Sequence, residues 1–133
     1  MRISSADTAR TALGLALVLR PRLPFRGLGV TPTGAGDVAA RVLGARWLAQ
    51  AALGAAAGGG KHARTVGRVD AAVEAAHAVS MVLLAATAPR WRRAALASAV
   101  LATGFAVADV RVASRPDTEA PDPWRARGPL SAV

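Results

Sequence analysis

The chain has 133 residues, enough for one domain; 53% of them are hydrophobic, yet only 4% are aromatic. Cysteine is absent, which excludes disulfides, thiolate nucleophiles and cysteine-ligated metals. The formal charge is +9, carried by sixteen arginines and one lysine; this balance suits an anionic surface or nucleic acid, although a GC-rich genome also produces an arginine, alanine and glycine excess.

The apolar content is mostly alanine, leucine and valine, with no tyrosine and a single isoleucine, Ile3. Small side chains make a poor water-driven core, because burying a methyl group removes little area from water. Between membrane helices they serve well, since close backbone approach drives association there.

Arg2 and Arg10 precede a short apolar run, residues 11–19, that resembles the start of a signal peptide. Arg20, Pro21 and Arg22 follow without a small-x-small cleavage site, so a retained helix is expected over about residues 7–20. Residues 21–36 hold three prolines and four glycines and read as an irregular linker. A second helix is expected from Asp37, a good N-cap, to Gly58, where three consecutive glycines stop it. The third runs from about Thr65 to Pro89, and the fourth from Pro89 or Arg90 to about Ser114, with proline acceptable in its first turn. The remaining residues, 114–133, contain four prolines and mixed charge and read as a disordered tail after a helical domain, 1–113. No alternation suggests strands.

A clean spanning helix shows about 18 or more apolar residues without charge. The fourth segment comes closest, charge-free over residues 94–108; the third is charge-free only over 78–88. The second contains Arg41 and Arg46, and a central arginine costs about 2.5–3.5 kcal/mol on insertion scales, which cancels most of what its leucines and valines supply. All three tryptophans neighbour arginines, as in Arg46-Trp47 and Arg90-Trp91-Arg92, the usual chemistry of the headgroup region. The expectation is an all-α fold: a small transmembrane bundle of four helices, the first one short, in the cell membrane as a multi-pass protein. Its partners are then the lipid bilayer and a second copy of the chain.

Asp70, Glu74, His77 and Met81 are spaced by four, three and four and form one stripe on the third helix. Ionisable groups within an apolar helix call for a partner. A turn centred near His62 would set Arg46 level with His77 or Ala78, and Gln50 level with Glu74. The expected cluster is therefore Arg46, Gln50, Glu74 and His77, with Asp70 nearer the loop beside Arg64 or Arg68. It reads as a structural ion pair, as a ligand or proton site with Glu74 or His77 titrating, or as a water-facing stripe. No metal is expected, because the i, i+4, i+7 spacing spreads these groups over about 10 Å. Ser80 and Ser98 lack a positioned base, so no catalytic residue is named, and no motif asks for a cofactor or small-molecule ligand. Gly54 and Gly58 give a GxxxG spacing suited to tight helix packing.

The segments Arg41-Val-Leu-Gly-Ala-Arg-Trp-Leu-Ala-Gln50, residues 69–81, and Pro89-Arg-Trp-Arg-Arg93 together resemble a group of small bacterial membrane proteins with four helices, themselves distantly similar to DoxX-like proteins. The likeness covers about residues 37–112 and implies a four-helix membrane fold, from which the short first helix departs. It brings no activity with it. The reading is a structural or accessory membrane component, not an enzyme. One rival is a small dimeric transporter using Glu74 or His77. The other is a soluble basic helical protein that binds nucleic acid through charge; against it, the arginines are spread over every loop, so no specific nucleic-acid partner is expected.

Overall fold

The computed structural model describes residues 5–31, 33–58 and 60–114, all of them helix, turn or short connection, with no strand among them. The tail expected to be disordered lies outside the described residues from 115 onward. Among the described residues there are five α-helices, not four: α1 (Ser5–Leu19), α2 (Arg22–Gly27), α3 (Gly34–Ala57), α4 (Gly60–Thr87) and α5 (Arg92–Ala113), with a 3-10 turn at Pro89–Trp91 ahead of α5.

The extra helix, α2, lies in the segment expected to be irregular. Pro21 sets the entry with φ −59°, and Pro24 falls within the first turn, where backbone N–H groups have no helical acceptor to lose. The glycines stop it after six residues: Gly29 adopts φ +66° and its N–H bonds the Arg26 carbonyl at 3.1 Å. Thr33, not Asp37, caps α3, its hydroxyl accepting from the Gly36 N–H at 3.1 Å. Helix α4 begins at Gly60, a turn earlier than Thr65, because nothing in residues 61–64 breaks a helix; the Thr65 hydroxyl bonds back to the Lys61 carbonyl.

Two antiparallel hairpins result. In the first, α1 lies along α3; in the second, α4 lies along α5; between them, α3 and α4 meet over a shorter stretch. The first hairpin closes by backbone contact. A Cβ built on Gly14 would lie 2.8 Å from the Gly44 carbonyl oxygen, and one on Gly44 would lie 2.7 Å from that of Gly14. Gly54 faces Asp7 of α1, whereas Gly58 touches nothing and ends α3 with φ +65°. The GxxxG pair thus divides its work: one glycine packs, the other stops the helix. In the second hairpin, Gly67 lies against the backbone of Asp109 and Ala113.

Among the described residues, the buried apolar set is Leu17, Trp47, Phe105 and six alanines. Trp47 and Phe105 meet edge-on at 5.3 Å and tie α3 to α5. Seventeen large hydrophobic residues point outward instead, among them Val100 at 72%, Val42 at 65% and Leu83 at 62% exposure. Helices α4 and α5 are long and apolar enough to cross a membrane. Helix α1, at 15 residues and about 1.5 Å per residue, falls short of a hydrocarbon core about 30 Å thick. Helix α3 has the length but carries Asp37, Arg41 and Arg46.

Candidate functional site

The interior between the hairpins is charged. Arg10 of α1, Glu74 of α4 and Asp109 of α5 are 2%, 0% and 5% exposed, and Gln50 and Asp70 are buried beside them. Burial follows helical spacing. Arg10, Gly14 and Leu17 form the buried stripe of α1, while Ala95, Ala99, Ala102, Phe105 and Asp109 form that of α5. Each charged group occupies a position its helix turns inward.

Arg10 grips Asp109 with both terminal nitrogens, at 2.9 and 2.5 Å, across 99 residues of sequence. Its guanidinium also lies 4.7 Å from the centre of the Phe105 ring and 4.0 Å from Glu74. Arg46 of α3 approaches the other Glu74 oxygen to 2.7 Å. That contact is close but off-line: Arg46 Nη2 and both Glu74 oxygens are buried without a well-directed hydrogen bond. Its attraction is therefore coulombic. One turn along, the Gln50 amide donates to Asp70 at 3.2 Å, leaving Gln50 Oε1 buried without a donor.

These pairs put the α3–α4 register one helical turn away from expectation. Arg46 meets Glu74 and Gln50 meets Asp70, so the hairpin is centred on Gly60 and not on His62. Because α4 starts earlier than expected, the centre moves by two residues and every partner by four. Asp70 thus reaches Gln50. His77 stays within electrostatic reach of Arg46 and Glu74, but its hydrogen bond goes to the Ser98 hydroxyl of α5 at 2.9 Å, inside the second hairpin.

Arg10 and Asp109 are central here, although in the sequence they stand only at the edges of apolar runs, Arg10 before residues 11–19 and Asp109 after residues 94–108. A usable signal exists: each continues an i, i+3 or i+4 series of small and apolar residues, and that series is the buried face. The division of charge is also visible only in three dimensions. The first hairpin supplies both guanidiniums, Arg10 and Arg46; the second supplies all three carboxylates, Asp70, Glu74 and Asp109. Moving such ions out of water costs several kcal/mol each after relaxation, and close opposite partners are what offset it. The cluster therefore acts as a lock between two halves that share little other packing. In chemical terms it can hold charge and exchange protons; it presents no activated nucleophile.

No protein family, curated protein or solved structure matches this chain.

Proposed function

We propose that the chain is an integral membrane protein in which α1, α3, α4 and α5 form a four-helix bundle, serving as a structural or accessory component of a cell membrane. The observation that carries this reading is the inverted polarity. Arg10, Asp70, Glu74 and Asp109 are buried in the interior while large aliphatic side chains cover the outside of α3, α4 and α5. In water this arrangement would be unfavourable twice over, since each exposed aliphatic side chain forgoes about 1.5–3 kcal/mol of burial and each buried ion pays desolvation. In lipid the outward side chains are solvated, and the charges have nowhere to go but toward one another. The same reading takes in the resemblance to small four-helix bacterial membrane proteins. The test is fractionation after lysis with high-salt and carbonate washes. Retention in the pellet with release by detergent is expected; a protein that is folded and monodisperse in plain buffer refutes the reading.

A second reading, a small proton-coupled carrier working as a dimer, is favoured by one feature of Glu74. It is wholly buried between two guanidiniums, with neither oxygen held by a directed hydrogen bond. Three carboxylates face two guanidiniums, leaving one excess negative charge that a single proton would neutralise. Glu74→Gln separates the readings. A carrier loses coupled flux and keeps its fold, whereas a structural lock loosens and the detergent-solubilised protein unfolds at lower temperature.

A further inference from the structure

At the end of the bundle where α1 gives way to α2 and α3 begins, a pocket of about 370 Å³ opens to the surface. Four arginines line it, Arg20, Arg22, Arg26 and Arg41, against one carboxylate, Asp37, so its lining carries a net charge of +3. Asp37 is already engaged: Arg22 Nε donates to its Oδ2 at 2.9 Å, which fixes that guanidinium at the pocket wall. Among the described residues, Arg20, Arg26 and Arg41 have no carboxylate partner. Guanidiniums gathered around a small space repel one another unless an anion joins them, and their planar forks match phosphate oxygens two at a time.

The surroundings say which phosphate. The hairpin turn at Pro89–Trp91 lies at this same end: Trp91 packs edge-on against Phe25 of α2 at 6.0 Å, and Arg90 lies over the Trp91 ring. Tryptophan among arginines marks the headgroup level of a bilayer. Leu19 and Leu23, 72% and 54% exposed, form an apolar rim beside the arginines. An amphiphile with a phosphate at one end meets both. We propose that this pocket binds the phosphate of an anionic phospholipid headgroup, with Arg20, Arg26 and Arg41 as its ligands and Arg22 held in place by Asp37. The assignment rests on the membrane reading above.

The test uses the full chain in phosphatidylcholine nanodiscs, with phosphatidylglycerol added stepwise and lipid binding read by native mass spectrometry and thermal shift. The triple variant Arg20→Gln/Arg26→Gln/Arg41→Gln is compared with Arg90→Gln/Arg92→Gln, which removes charge from the same end outside the pocket. Each pocket arginine removed should weaken phosphatidylglycerol binding about fivefold, and all three about a hundredfold. All three arginines are exposed, so the variant should melt like the parent in phosphatidylcholine alone. Equal loss in the two variants, or no loss in the triple variant, overturns the proposal. So does equal protection by inorganic phosphate in lipid-free detergent, which would make the free ion the ligand. Failure of the membrane reading shows separately, as release of the protein in the carbonate wash.

Discussion

Removing Arg10 is the severest single perturbation this architecture offers. The guanidinium makes a two-pronged contact with Asp109 at 2.9 and 2.5 Å, lies 4.0 Å from Glu74 and stacks over Phe105, all at 2% exposure. A unit charge pair 4 Å apart is worth about 4 kcal/mol at an effective dielectric constant of 20, so even the more distant Glu74 contributes. Arg10→Gln leaves three carboxylates facing Arg46 alone, and breaking a buried pair in this way costs about 3–5 kcal/mol. Arg10→Gln/Asp109→Asn behaves differently. One cation faces two anions, so the excess of one negative charge matches the parent, and the two amides can hydrogen-bond each other. The double variant should therefore be more stable than Arg10→Gln alone, with a coupling energy of about 2 kcal/mol. Unfolding of the detergent-solubilised protein, followed by circular dichroism across the four-member cycle, measures it. Additive losses, within about 0.5 kcal/mol, would show that Arg10 and Asp109 do not support one another and would refute the lock between hairpins.

The first hairpin makes its own prediction. Gly14→Val should cost about 1–3 kcal/mol by forcing α1 away from the Gly44 carbonyl, while Gly104→Ala, mid-helix in α5 with nothing within 4 Å, should cost nothing and gain up to about 1 kcal/mol of helix propensity. Cysteine cross-linking between introduced pairs on α1 and α3 reads the separation directly. His77→Ala and Ser98→Ala should each cost about 0.6 kcal/mol, and the double variant no more than either alone, because a single 2.9 Å contact joins them. Additivity there would mean that the two side chains act independently.

How much of this was legible beforehand follows from the range of each signal. Helix stops at Pro21, at Gly58 and before Pro89 are local backbone chemistry, and they stand where the sequence places them. The stripe of Asp70, Glu74 and His77 is likewise local, since 3.6 residues per turn fixes which side chains share a face. Helix α2 was missed because proline counts against a helix in general but costs little in its first turn.

Local chemistry alone sets where the four longer helices stop and which residues ride together on each. The tertiary structure alone decided which faces meet: that His77 turns to Ser98, that Asp70 meets Gln50, and that Arg10 finds Asp109 across 99 positions. Periodicity specifies an angle around one axis. A pairing between helices depends also on their relative height and rotation, and here those were set by where α4 starts and by how closely glycine lets α1 approach α3. Both are properties of the packed chain, and no window of sequence contains them.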